Sequence, residues 1–326
     1  MKRRLRTLIY GISHEHACGK FESLKRLSDE FEIVAIADDR ARKTVRFLDE
    51  RIDVEKAVRD GFRVVTEDEA RAIEDIDVVF VETANANLME IASHYAERGV
   101  AMHCDKPCGE TMEPYRTILR SCEARNLPFQ IGYMYRGNPA LQWIWREARA
   151  GTFGDIRFVE ADMNHNYQGD GYEAYIRSFK GGILYNLGCH LVDLVQPLVG
   201  DDLESAIPFV DGTDCKSFLR FGNGADVLIR TAACRPGGIL SRRLRIDGTK
   251  CTVDLCPIER FDGQELTLKV TAGKEENTMG FGVQTDRYAA QLVDLAAIVR
   301  GDKPNDQDYR KDLAVHEMTL KACGLF

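Results

Sequence analysis

The sequence predicts an α/β chain in two domains: a doubly wound parallel sheet over residues 1–127, then an α+β domain over residues 128–326 with an open, largely antiparallel sheet. Three observations predict it. Short β-rich runs alternate with amphipathic stretches up to Pro128, the rhythm of strand-helix-strand crossovers. After Pro128 strands follow one another, the rhythm of an antiparallel sheet. The length of 326 residues also exceeds the size at which one core usually keeps growing.

Taken in order, buried strands are expected at residues 7–10, 33–37, 64–65, 78–81, 100–103 and 129–131, where β-branched and large apolar residues cluster. Amphipathic helices are expected at 88–98 and 115–125. Strands then run from about residue 155 to residue 270, and helices return at 284–299 and 309–322. The stretch 274–282, polar and then Gly-rich, reads as an exposed loop.

With 44% hydrophobic and 29% charged residues, the composition is that of a soluble chain with a sizeable core, and no apolar run approaches the roughly 18 residues of a membrane span. The basic start leads straight into a strand-like run without the apolar stretch of a signal peptide, so a cytoplasmic location is expected. Ten cysteines with no Cys-x-x-Cys pair read as reduced thiols. A net charge of −8 argues against affinity for phosphate backbones, so neither nucleic acid nor membrane is expected as a partner.

Residues 181–193 carry the densest signal. At 100° per residue Leu184, Leu187, Leu191, Leu194 and Leu198 share one stripe, while Asn186, His190 and Asp193 share another. That second stripe is either a candidate site or a solvated helix face.

In a doubly wound sheet, ligands bind beyond the carboxyl ends of the strands. The first strand ends in Gly11-Ile12-Ser13-His14-Glu15-His16; in register with G-x-G-x-x-G only Gly11 remains, and Ser13 and His16 replace the other glycines. Asp38, at the end of the second strand, is placed either to accept from an adenine-ribose diol, favouring NAD over NADP, or to cap a helix, with Arg40 able to neutralise a 2′-phosphate. Two further strand ends carry Thr83-Ala84-Asn85 and Asp105-Lys106-Pro107, where proline follows directly on the lysine.

Together, Asp105-Lys106-Pro107, Tyr133-x-x-Arg136-x-x-Pro139, the residues from Gly181-Gly182 to Asp193, and Gly301-Asp302-Lys303-Pro304 resemble the Gfo/Idh/MocA oxidoreductases, a family named after glucose-fructose oxidoreductase and inositol dehydrogenase. The resemblance covers nearly the whole chain. It implies a Rossmann domain joined to an open-sheet domain that supplies the substrate site and often an oligomer interface, hence a homo-oligomer, dimer or tetramer. It also implies oxidation of a secondary hydroxyl of a sugar or polyol, or reduction of the ketone, with a nicotinamide cofactor. The family's catalytic lysine corresponds to Lys106, and its Asp-x-x-x-His pair to Asn186 and His190. The expected cofactor contacts are Gly11, Ser13, His14, His16, Asp38, Thr83, Asn85 and Lys106. On the substrate side the expected residues are Lys106, Tyr133, Arg136, His165, Tyr167, Asn186 and His190.

The chain departs from that pattern in three places. Asn186 can hydrogen-bond substrate but cannot take a proton, so Lys106 and His190 must share the acid-base work. Glu15 puts a carboxylate where a pyrophosphate belongs, a repulsion on the order of 4 kcal/mol at about 4 Å unless it points away or the flanking histidines offset it. Thr83 lacks the proline that follows it in relatives. His14 and His16 either hydrogen-bond a phosphate or hydroxyl or, with His165, Asp162 or Glu160, ligate a metal; no metal is expected. The aromatic segment 165–180 suits sugar stacking, or packs on its own domain. Two other outcomes stay open on this fold: redox-assisted elimination or glycoside cleavage on bound NAD, and a non-catalytic ligand sensor.

Overall fold

The computed structural model describes residues 2–42, 52–167 and 169–326. The chain packs into two compact units, Met1–Tyr133 with Tyr288–Leu313, and Met134–Arg287 with Ala314–Phe326.

In the first unit the strands are β1 (Leu5–Tyr10), β2 (Phe31–Asp38), β3 (Val64–Thr66), β4 (Val78–Val81), β5 (Ala101–Cys104) and β6 (Phe129–Ile131). The helices between them are α1 (Ala17–Arg26), α2 (Val54–Arg59), α3 (Glu67–Arg71), α4 (Leu88–Arg98) and α5 (Tyr115–Ala124). The strands form one parallel sheet in the order β3-β2-β1-β4-β5-β6. Every residue of β4 and β5 is buried, as expected of strands covered on both faces. The strand order reverses between β1 and β4, and it is at their carboxyl ends that such sheets bind ligands.

Local chemistry marks the helix ends. Thr66 and Glu69 form a reciprocal capping box at the start of α3, and α4 stops at Gly99 in the left-handed conformation. The edge strand β6 is not left open: the Tyr309 hydroxyl donates to Leu127 O and accepts from Phe129 N, and the Gln291 amide donates to Ile131 O.

The second unit is built on an eight-stranded sheet. Its elements are α6 (Pro139–Arg149), β7 (Ile156–Asn164), α7 (Asp170–Arg177), α8 (Gly182–Val199), β8 (Leu203–Phe209), β9 (Asp214–Phe221), β10 (Asp226–Ala232), β11 (Arg243–Gly248), β12 (Thr252–Leu255), β13 (Glu265–Ala272) and β14 (Glu275–Val283). Two helices close the chain, α9 (Ala289–Arg300) in the first unit and α10 (Tyr309–Ala322), which runs from the first unit into the second after Leu313. The strand order is β14-β13-β12-β11-β7-β10-β9-β8, antiparallel except where β10 pairs β7. Along β9 burial alternates residue by residue, so one face of the sheet is core and the other is open. Helix α8 packs on β7, β9 and β10.

One open alternative falls and two expectations need correction. The polar stripe of α8 is no solvated face: Asn186, His190 and Asp193 are as buried as the leucines beside them, because α6, α7 and the sheet enclose the helix. The stretch 274–282 is largely the strand β14, paired with β13; its polar sequence fits an exposed edge and hides the strand from an apolar-pattern reading. Helix α9 begins only at Ala289, and α7 occupies part of the aromatic segment 165–180, in which Gln168 lies outside the described residues.

The entry to α8 depends on Gly182, whose φ is +55° and whose added Cβ would lie 2.7 Å from the Gly212 backbone. Since backbone cannot yield as a flexible side chain does, Gly182→Ala is expected to lower the unfolding free energy by about 2 kcal/mol or more, read by urea denaturation.

Candidate functional site

The carboxyl ends of β1, β4 and β5 bring seven ionisable side chains together in the first unit. Asp105, fully buried, is the centre. Its Oδ2 accepts from Lys20 Nζ at 2.5 Å, its Oδ1 from the Lys106 amide at 2.7 Å, and His16 Nδ1 donates to it at 3.1 Å. Lys20 also donates to Glu82 Oε1 at 2.9 Å. His14 Nε2 lies 3.0 Å from the Lys106 carbonyl oxygen, which can only accept, so this nitrogen carries the hydrogen, while Nδ1 lies between the His16 amide at 3.1 Å and Asp105 Oδ2 at 3.2 Å. Glu15 does not stand as an isolated carboxylate: its Oε1 accepts from Lys106 Nζ at 2.7 Å. The repulsion expected for an anion beside this turn is therefore offset mainly by Lys106.

These contacts order the protonation states. Burial pushes the Asp105 carboxyl up, but His14, His16 and Lys20 outweigh it and hold it well below the usual range. Burial dominates at Glu82 and raises it well above its ordinary value. Glu15 is lowered despite burial, by Lys106, His16 and His14. Burial takes His16 down to about 4, and neighbouring His103, whose Nδ1 donates to Gln130, down to about 3.

The expected cofactor residues divide. Gly11 has φ +98°, and a Cβ there would lie 2.5 Å from Thr83 N, so glycine is required by the approach of β1 to the end of β4. Ser13 and Thr83 donate their hydroxyls to Asp39 at 2.5 and 2.6 Å, and the Ile12 amide donates to the same carboxylate at 3.1 Å. Asp39, buried next to the expected Asp38, thus ties the turn to two strand ends. Asp38 is partly exposed and held in a fork by Arg40. Asn85 opens a single 3-10 turn before α4.

A nicotinamide dinucleotide fits these residues. Asp38 sits at the end of β2 with its carboxylate paired to Arg40, and the Glu15 charge is offset by Lys106 beside the turn where the family's dinucleotide would lie. The His-x-His pair does gather with a carboxylate, since His14, His16 and Asp105 bring ligand-type atoms within 4.8 Å of one another. Both histidine Nδ1 atoms lie 3.1–3.2 Å from the Asp105 carboxylate and Lys20 Nζ lies 2.5 Å from it, so these side chains form one ion-pair network.

In the second unit, α8 carries Asn186 and His190 at 0% and 1% exposure. The Tyr135 ring meets the His190 imidazole edge-on at 5.6 Å between centroids. The Tyr135 hydroxyl donates to Glu259 at 2.7 Å and accepts from Arg242, which also pairs with Glu259 and donates to Asn164 O. Burial pushes the Tyr135 phenol above its ordinary value. Arg136 grips Asp193 through Nε and Nη2, at 3.0 and 2.6 Å. His165 stacks on half-exposed Tyr167 at 4.5 Å, with Arg242 Nη2 3.4 Å from its Nδ1, and Tyr133 is buried just beyond β6 in the first unit.

Sequence reasoning missed Asp39, Lys20, Glu82, Tyr135, Arg242 and Glu259. One signal was present: Ala17, Lys20, Phe21 and Leu24 follow the spacing of a buried helix stripe, which places a lysine inside.

Because His16 and His103 are held neutral in the fold, the unfolded chain binds more protons than the native one below about pH 6.5. Their contribution is complete above that value and is lost as pH falls toward 4 and 3. Urea denaturation at pH 7 and pH 5 is expected to show a loss of about 2 kcal/mol per histidine, and His103→Gln should flatten that slope.

A family model described as an oxidoreductase family with an NAD-binding Rossmann fold matches residues 6–133, and one described as the GFO/IDH/MocA C-terminal domain matches residues 143–254. D-apiose dehydrogenase of Paraburkholderia graminis is 25% identical over 173 residues, 53% of this chain and 44% of that protein, so the match spans under half of the relative. Aldose-aldose oxidoreductase of Caulobacter crescentus, complexed with glycerol, superposes with a TM-score of 0.78 at 18% identity, over 99% of this chain and 98% of that one. A 3-ketoreductase of Actinomadura kijaniata, in complex with NADP and TDP-benzene, gives 0.78 at 15% identity, covering 97% and 96%. At such identities the likeness to the solved structures is one of fold.

Proposed function

The chain belongs to the Gfo/Idh/MocA oxidoreductase family, and from that premise we propose that it oxidises a secondary hydroxyl of a sugar, polyol or sugar derivative, or reduces the corresponding ketone. A bound nicotinamide would accept or give the hydride. Gly11, Asp38 and the turn up to His16 would hold it, and Asp38 makes NAD the preferred form.

One observation carries the reading. Lys106, fully buried at the end of β5, is fixed at both ends, its carbonyl by His14 and its ammonium by Glu15. An ammonium preorganised in a dry site stabilises negative charge on a reacting oxygen without reorganising during the reaction. In this proposal Lys106 donates to the substrate oxygen, His190 takes the hydroxyl proton, and Asn186 orients the substrate. His165 and Tyr167 offer a stacked aromatic surface for a sugar face. Tyr133 and Arg136 line the substrate side in the same proposal, Arg136 by holding Asp193 on the helix of His190.

The test is a titration with NADH and NADPH, followed by fluorescence transfer to the nicotinamide, then assays of NAD reduction with D-apiose, glucose and inositols. Micromolar NADH binding tighter than NADPH is expected, weakened about tenfold in Asp38→Ala. Lys106→Ala should bind the dinucleotide yet lose turnover by about a hundredfold or more. Binding of neither dinucleotide would overturn the proposal.

A further inference from the structure

The turn after β1 has replaced two glycines of the usual phosphate-binding pattern with Ser13 and His16, and the structure shows what its side chains do instead. Three consecutive residues each reach the Asp105-Lys106 dipeptide: His14 donates to Lys106 O, Glu15 accepts from Lys106 Nζ, and His16 donates to the Asp105 carboxylate. Lys20, one turn into α1, completes the set on Asp105.

We propose that the His14-Glu15-His16 turn is a positioning device for Lys106, in which Glu15 fixes the ammonium and keeps it charged. The proposal rests on the catalytic reading of Lys106 above. It makes Lys106 a charged hydrogen-bond donor throughout the reaction and leaves the proton acceptor's role to another group.

The charges around Lys106 support this assignment. From the β1 turn come Glu15, His14 and His16, from the turn of Lys106 itself Asp105, from α1 Lys20, and from the end of β4 Glu82. Asp105 and Glu82 are both engaged by Lys20, while the Glu15 carboxylate lies on the Lys106 ammonium at 2.7 Å. An opposite charge at that distance favours the protonated amine. Glutamine in its place keeps an acceptor oxygen and removes the charge, so the two contributions separate.

The experiment is acylation of the full chain with acetic anhydride across pH 7 to 11, with Lys106 quantified by mass spectrometry. Only a neutral amine is acylated, so the rate against pH gives the titration of Lys106 without any substrate. In Glu15→Gln the midpoint is expected about one unit lower than in the parent, an increase of about tenfold in rate at pH 8. Glu15→Asp, which keeps the charge on a shorter arm, should fall between the two, and it carries the same comparison if the glutamine variant does not fold. Lys20 in the same digest is the control for general loosening. Equal Lys106 acylation in parent and variants at every pH, including none in any, would overturn the proposal, as would a rise matched at Lys20. Turnover that survives Lys106→Ala would instead overturn the catalytic reading and leave the acylation result standing.

Discussion

The first unit depends on one buried carboxylate. Asp105 follows directly on β5, where the backbone must leave the sheet, and it would be prohibitively costly to bury unpaired. Lys20 from α1, His16 from the turn after β1 and the Lys106 amide converge on its two oxygens. Removing one partner of such a cluster leaves a stranded charge, which is commonly worth about 3–5 kcal/mol. The same contacts that make Asp105 tolerable therefore fix α1 against β5 and set the backbone from which Lys106 projects. Asp39 repeats the logic at the neighbouring strand ends, gathering an amide and two hydroxyls.

In the second unit the comparable centre is Arg242, almost fully buried and paired with Glu259. It holds Tyr135, and Tyr135 packs against His190. The imidazole thus packs edge-on against a side chain held by an ion pair between residues more than 100 positions further along the chain. Arg136, on the same short segment as Tyr135, secures α8 a second time through Asp193.

Much of this was legible in the sequence. The six parallel strands were, because their apolar runs are short and bounded, and so was α8, because its leucine stripe is long. Asn186 and His190 are legible as a polar stripe on α8 and Lys106 as a strand-end lysine before proline, while the roles proposed for them come from the family resemblance. What is not legible shares a physical character: Lys20, Glu82, Arg242 and Glu259 are ordinary charged residues whose burial is compensated by partners far along the chain, 85 positions away for Lys20 with Asp105 and 124 for Glu259 with Tyr135. Local pattern cannot reveal a partner supplied by a sheet crossover. Glu15 is legible as a charge in the turn after β1, but the sign of its effect depends on Lys106, 91 positions along the chain. Strand β14 failed for the opposite reason, since a strand exposed at an edge has no apolar alternation to display.

That edge has a bearing on behaviour at high concentration. An outermost strand offers an unpaired row of amides and carbonyls on which another chain could stack. Here the row ends in Glu275 and Glu276, both exposed, and Glu265 of β13 turns a carboxylate onto the Gly282 amide at 3.1 Å. A strand laid along this edge would have to pass these carboxylates. The polar sequence that concealed β14 thus serves as a guard against sheet-by-sheet polymerisation, and replacing its glutamates with valine would be an invitation to fibrous growth.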